Sequence, residues 1–578
     1  MSRKDGLWIC DYCKAVITHD QAARYEVDSE TGIGFGCVHF CSKECQRRYQ
    51  EQKITRAQEA ANTARFEKLE KEMLKQQKEL LDRQKQEEEE KVHQAFLAKC
   101  VNIDGAYYSP DKTTLIEVDK MVRRLNVIDG VIEIGKEACK NCTELKSVTL
   151  PESLEEIEEN AFGFCSSLTE IKFPKSLKKL DHWAFSCSGL KSVEIPENIE
   201  EIGPAAFGQC NNLESVSIAG AQKRYANSIF LACKSLKNVK LPEGMSEIPD
   251  QMFYGCTALS EIQIPATVKR IGQCAFRDCT SLVSVQSILN QVEELGGGAF
   301  QNTGVTEVTI PVNIKKLESY DVNDRDTLGA FSCCKSLKSV TIAEGREKMG
   351  IYAFSECFAL EKVSFPSTLK SIGAGSFFCC KNLSSIEFPD GLEYIRIHAF
   401  SYTNLSSINL PDSITEIGEG AFSTSSTIRG EHISLKLKEL RIPSGVTKLE
   451  NAIVYGCSEL ESITIPSTIT EISGNPFKGC SSLKVVNVEG DGLNSEVSNK
   501  IEKCLEESYG KGKVKFKSGA LLSTAKAGAS AAAKTVGGLS SMLGTAVSSL
   551  KENDNIQNTI NETKDAFKKA FGGLFGKK

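Results

Sequence analysis

The stretch "IPATVKRIGQCAFRDCTSLVSV", residues 264–285, decides the fold, because near-copies of it follow one another along most of the 578-residue chain. Aligned on its Leu282, the copies place Leu145, Leu168, Leu190, Leu213, Leu236, Leu259, Val305, Leu337, Leu360, Leu383, Leu405, Leu437, Leu460 and Leu483 in one column. The step between them is 22 or 23 residues, broken twice by a step of 32. Self-similarity at such a period marks a solenoid, in which each repeat buries its apolar face only against its neighbours.

Each unit reads roughly L-x-x-V-x-I-P-x-x-L-x-x-I-G-x-x-A-F-x-x-C-x-x. Side chains alternate along a strand, so the apolar residues of L-x-x-V-x-I point inward and the intervening ones line a solvent face. The Pro closes the strand, and the Gly permits the turn into the Ala-Phe segment. The expected architecture is an α/β-repeat solenoid, a right-handed leucine-rich repeat superhelix of about fifteen repeats, each one strand plus a helical turn or wide loop. A Phe occupies the Ala-Phe position in thirteen units, from Phe162 to Phe477, a regularity that predicts a core stack rather than a ligand site.

Counting back three residues from the strand Leu, the cysteines also stack: Cys142, Cys165, Cys187, Cys210, Cys233, Cys256, Cys279, Cys334, Cys357, Cys380, Cys457 and Cys480. A free Cys is a small, usually buried group with a weak donor. Rungs of a solenoid lie roughly 5 Å apart, within disulfide range, so such a column predicts a reducing compartment. The opening "MSRKDGLWICDYC" lacks the charged-then-apolar pattern of a signal peptide, and both readings point to the cytoplasm.

The repeats at "FPKSLKKLDHWAFSCSGLKSVEI" (173–195) and "LPDSITEIGEGAF" (410–422) resemble the BspA-like leucine-rich repeat family over about residues 120–490. That resemblance implies the solenoid fold and a protein-binding habit, since the best-known members are surface proteins that bind host or matrix partners. A repeat scaffold does not by itself fix function.

The head carries the one motif with chemistry. Cys10 and Cys13 stand at C-x2-C spacing and Cys41 and Cys45 at C-x3-C spacing. The first pair suits a turn around a cation and the second one face of a helix's first turn, so the four thiolates can close a tetrahedral structural Zn2+ site. Cys37 and His39 lie close enough to substitute for one ligand or to support the set. "FCSKECQRRY" resembles the second half of MYM-type or TRASH-like treble-clef zinc fingers, a resemblance that implies contact-making rather than catalysis.

Six segments follow: a zinc finger over 1–50, a charged helix or short coiled coil over 51–99, a cap and partial repeat over 100–144, the solenoid over 145–490, a second cap over 491–517, and an Ala/Gly/Ser-rich amphipathic tail over 518–578. Phe66, Leu69, Met73 and Leu80 give the charged helix a two-heptad seam, and with it a route to a homodimer. The 32-residue steps insert "ESYDVNDRDTL" (318–328) and "STSSTIRGEHISLK" (423–436), read as solvated loops. In the tail, Phe567, Phe571, Leu574 and Phe575 form an apolar stripe among lysines, so residues 560–578 could bind an anionic membrane surface or a partner's groove.

Seventy basic against 76 acidic residues leave a net charge of -6, which argues against nucleic acid as the general partner. His182, His398 and His432 read as isolated, and no catalytic constellation stands out. The expected function is a cytoplasmic, non-enzymatic protein-interaction scaffold. The alternatives are a BspA-like surface adhesin and a zinc-finger nucleic-acid-binding regulator.

Overall fold

The computed structural model describes residues 3–4, 7–9, 16–17, 43–220, 224–315, 329–424 and 435–517. The chain divides into two compact units, Met1–Lys99 and Cys100–Lys578. In the first, the short strands Arg3–Lys4, Leu7–Ile9 and Val16–Ile17 pair antiparallel. A single helix then runs from Lys43 to Leu97, 55 residues without Gly or Pro and rich in strong helix formers. Its Met73, Leu74, Leu80 and Leu81 side chains are exposed.

The second unit opens with the antiparallel strands Val101–Ile103, Ala106–Tyr108 and Thr114–Val118. Thr114–Val118 then pairs in parallel with Glu133–Ile134, which starts the coil. Most coils contribute to one or both of two parallel ladders. One is built from L-x-x-V-x-I segments, as where Ser192–Ile195 pairs with Ser215–Ile218. The other is built from the dipeptide before the Gly, as where Arg270–Ile271 pairs with Glu294–Leu295. In Ser192–Ile195 and Glu307–Ile310, exposed and buried residues alternate as expected.

The α/β repeat needs correction. Among the described residues of the coils, the one helical turn is Gln286–Leu289, and the Ala-Phe corner is built of turns. The cause lies in the backbone: residues two before and two after the Phe adopt left-handed φ, as at Asn160 (φ 59°) and Phe164 (φ 62°), Cys274 (51°) and Asp278 (61°), and Tyr352 (51°) and Glu356 (58°). A left-handed residue every few positions stops a helix from propagating and costs roughly 1–2 kcal/mol when it is not Gly. The loss is offset by what the corner achieves in packing.

Two columns fill that corner. Twelve Phe rings from Phe162 to Phe422 stack face to face, with centroids 5.0–5.9 Å apart and planes within 16° of parallel. Beside them the thiols hydrogen-bond the preceding coil. Cys233 donates to the Phe207 carbonyl at 3.1 Å, Cys256 to Phe230 at 3.2 Å, Cys279 to Phe253 at 3.1 Å, and Cys357 to Phe331 at 3.2 Å. The Phe207, Phe230 and Phe253 carbonyls also accept the backbone N–H of their own coil's cysteine, Phe253 from Cys256 at 3.1 Å, so both lone pairs are used there.

The position three after the Phe defines this column, which corrects one assignment. In the shorter unit around Phe185, counting back from Leu190 lands one residue early, and Ser188 takes the place, its hydroxyl 3.3 Å from Cys210 Sγ. Cys187 sits beside it in the left-handed position (φ 58°), partly exposed. At Thr303 and Thr403 a hydroxyl replaces the thiol and donates at 2.9 Å to Phe300 and Phe400 of its own coil.

The Ile-Gly glycine also serves differently from the expected turn. At Gly272 a Cβ would lie 2.5 Å from the Asp250 backbone nitrogen, and at Gly296 it would lie 2.4 Å from that of Gln273. These residues let one coil's backbone touch the next. The stack ends where the helix Ser495–Tyr509, N-capped by Asn494, covers the last coil. There the Tyr509 hydroxyl donates to the Phe477 carbonyl and accepts from Cys480 N–H at 3.0 Å, doing what the next coil's thiol would do.

His398 is not isolated. It leans over Gly420, where a Cβ would meet its ring at 2.4 Å, and its Nδ1 lies 3.0 Å from the Ser401 hydroxyl. Ser401 in turn donates to the Gly420 carbonyl. Burial pushes the imidazole pKa down to about 4, against the opposing pull of Glu419 and the Gly420 backbone. The folded protein therefore keeps His398 neutral where the unfolded chain begins to protonate it below about pH 6.5. The associated stability is whole above pH 6.5 and is lost as pH falls toward 4, an upper bound of about 3 kcal/mol. Urea unfolding of the native protein and of His398→Gln between pH 7.5 and 4.5 is expected to show a shallower loss in the variant. Identical pH profiles would remove this role.

Candidate interaction surfaces

The strand face carries charges that answer one another from coil to coil. Arg441 reaches Asp412 and Glu489, both at 2.8 Å, and Lys484 reaches Glu461 at 2.6 Å. Exposed pairs of this kind contribute little stability. They neutralise the face where they stand.

The corner edge differs. Trp183 and Phe164 are 47% and 45% exposed, far more than aromatic side chains in a scaffold need to be. Both occupy left-handed positions, and the backbone couples them: the Trp183 carbonyl accepts from Ser186 N–H at 3.0 Å, and the Ser186 carbonyl accepts from Phe164 N–H at 2.8 Å. His182 packs its ring 5.2 Å from that of Trp183 and lies 2.9 Å from Asp181 and 3.4 Å from Glu159. Burial opposes ionisation of Asp181, but hydrogen bonds from His182 and Lys179 outweigh it and hold the carboxyl down at about 2. Glu159 also binds Lys136 at 2.7 Å. The result is two exposed aromatics on neighbouring coils, Trp183 beside fixed charges, on a backbone tied to its neighbours on both sides. Large aromatics held this way are typical binding anchors.

Sequence reasoning passed over this pair because the period hides it. The same two positions carry Gln251 and Gly255 in one coil and Cys274 and Asp278 in another, so no column marks them. The signal that was present is a Trp and a Phe at positions where neighbouring units carry small or polar residues. A second group, Phe378, Cys379 and Tyr402 with Phe358 against it, forms an apolar cluster separate from the main core, and Lys381 Nζ stands 4.8 Å over the Phe358 ring.

Of the expected zinc ligands, Cys10, Cys13, Cys37, His39 and Cys41 lie outside the described residues. The paired strands Leu7–Ile9 and Val16–Ile17 flank the segment that carries Cys10 and Cys13, and Cys45 falls in the first turn of the helix Lys43–Leu97. Among the described residues no group of three or more His, Cys, Asp and Glu is placed to hold a metal ion, and no helix is long and apolar enough to cross a membrane. The acidic insertion with Asp321, Asn323, Asp324 and Asp326, His432, and the tail with Phe567, Phe571, Leu574 and Phe575 also lie outside the described residues.

No curated protein matches the chain. Among solved structures it is similar to a leucine-rich repeat protein from Bacteroides ovatus, at 22% identity over 72% of this chain and 96% of that one, with a TM-score of 0.45. It is similar also to a leucine-rich cell surface protein from Faecalibacterium prausnitzii, at 20% identity over 70% and 97%, TM-score 0.37. A third, a leucine-rich repeat protein from Eubacterium ventriosum, shares 19% identity over 53% and 94%, TM-score 0.35. The family model for the BspA type leucine-rich repeat region matches residues 120–233, 222–329, 327–429 and 432–508. With some two thirds of its length matched and the repeat geometry in place, the chain belongs to the BspA-type leucine-rich repeat family.

Proposed function

We propose that the chain is a non-enzymatic protein-interaction scaffold of a reducing cytoplasm, whose solenoid engages a protein partner through the Trp183–Phe164 edge. The observation that carries this reading is the exposure of those two aromatics on a corner whose backbone is fully hydrogen-bonded. A rigid anchor loses little conformational entropy on binding, so its buried area is translated into affinity. The compartment is supported by the thiol column, in which each cysteine gives its donor to a carbonyl rather than to a neighbouring sulfur. A surface adhesin in an oxidising medium would keep such a column at risk of cross-linking.

In this reading the helix Lys43–Leu97 is a spacer that carries a zinc-stabilised head, and residues 560–578 are an accessory membrane or partner contact. Cys10, Cys13, Cys41 and Cys45 would hold the ion, which would serve as a structural cross-link in a segment too short to bury a core.

Two outcomes are expected. Trp183→Ala and Phe164→Ala should each weaken capture of the partner from native cytoplasm at least about tenfold, while leaving the unfolding midpoint of the full chain unchanged. Equal capture by native protein and both variants would shift the interaction away from this edge. Native mass spectrometry should find one Zn2+ per freshly purified chain and none in Cys13→Ser, and a metal-free native chain would end the zinc proposal.

A further inference from the structure

The net charge of -6 is not spread along the chain. Residues 129–159 hold nine acidic residues, from Asp129 to Glu159, against Lys136, Lys140 and Lys146, which is a net charge of -6 in these coils alone. The rest of the chain is therefore neutral, with 67 basic and 67 acidic residues. Charge concentrated in this way makes a local field that selects the sign of what approaches. The acidic coils adjoin the half-exposed aromatics: Phe164 follows them directly, and the coil that carries Trp183 pairs with that of Glu156.

The cations beside this edge are already engaged. Lys136 binds Glu159 at 2.7 Å, Lys140 binds Glu137 at 2.8 Å, Lys178 binds Glu155 at 2.9 Å, and Lys179 is shared by Glu156 and Asp181. Among the described residues no cation pairs with Glu133, Glu152 or Glu158. Glu133 and Glu156 stand in register on neighbouring coils. Burial and the nearby Glu158 and Glu156 carboxylates raise the Glu133 pKa, so negative charge is crowded here and a further cation would relieve it. All three carboxylates are partly exposed and can be reached from solvent. Glu159, 3.4 Å from His182, joins the acidic strip to the Trp183 indole, on which the His182 ring packs.

We propose that the segment seated on this edge is basic: an extended stretch of a partner protein whose Arg or Lys side chains meet Glu133, Glu156 and Glu158 while one guanidinium lies over the Trp183 indole. The inference rests on the proposed role of the Trp183–Phe164 edge and names the chemistry of what that edge takes. Trp is the ring that holds a cation best, and the flat, weakly hydrated guanidinium is the cation that stacks on it best. Side chains two apart in an extended segment lie about 7 Å from one another and the coils rise by about 5 Å, a difference that long Arg and Lys side chains can absorb. Phe164 supplies an apolar surface for the carbon stems of those side chains.

The test is a calorimetric titration of the full chain at low salt with a peptide of alternating Gly and Arg, and with its Gly-Lys and Gly-Glu counterparts. The Gly-Arg peptide is expected to bind tightest, Gly-Lys about threefold more weakly and Gly-Glu not at all, with the Gly-Arg affinity falling as salt rises. Trp183→Ala should weaken Gly-Arg binding about three- to tenfold. The double variant Glu133→Gln with Glu158→Gln should weaken it about tenfold and flatten its salt dependence, while Glu361→Gln, exposed on the strand face of a remote coil, should change neither. Equal binding of Gly-Arg and Gly-Glu, or Gly-Arg binding untouched by both Trp183→Ala and the double variant, would overturn the proposal. A native chain that ignores Gly-Arg while its capture of the partner depends on Trp183 would also overturn it and leave the role of the edge standing. Loss of both dependences would remove the two readings together.

Discussion

The solenoid depends on one carbonyl per coil. At the Phe of most Ala-Phe corners the chain turns sharply between two left-handed residues, and that residue's carbonyl meets the next coil. A buried carbonyl with an unused lone pair is costly, and the next coil's thiol meets it at 3.1–3.2 Å through the stack. The thiol is small enough for the corner, apolar enough for burial, and still a donor. Neither Ala nor Val combines those properties, which accounts for the recurrence of Cys where any small apolar residue would fill the volume. Burial in turn pushes the Cys165, Cys256 and Cys480 thiols up to about 12, so they are protonated and chemically quiet.

From that constraint the other columns follow. Successive Phe rings must rise at the coil spacing, and centroid separations of 5.0–5.9 Å meet it with offset stacking. The coils must approach until a Cβ no longer fits at Gly272 and Gly296. The strained corner residues are also what holds side chains outward, so the device that closes the core presents Phe164 and Trp183 to solvent. Scaffold and candidate interface are the two sides of one turn.

The fold was legible in the sequence because its determinants repeat: the Leu and Phe columns, the strand alternation and all but one of the thiol positions can be read by alignment alone. Cys187 was misread because its unit is one residue short between Phe185 and Leu190, and a count from the Phe is immune to that slip. A helical turn and a wide loop both stay open for the corner at the level of sequence, because left-handed backbone at Phe164, Trp183 or Tyr352 has no composition signal, and Gly or Asn occupies those positions only in some coils. Function was less legible for the opposite reason. Trp183 and Phe164 matter because they depart from the period, and an alignment built on the period treats departures as noise.

The claim that the thiol column is internal scaffolding, and not a reactive or metal-binding surface, can be tested by pulse-labelling the native protein with a thiol alkylator and mapping the modified residues by mass spectrometry. The account predicts that Cys233, Cys256, Cys279, Cys357 and Cys457 stay unlabelled until the chain is unfolded, while Cys187, at the partly exposed left-handed position, is labelled at once. Rapid labelling of the column cysteines in the folded protein would contradict it.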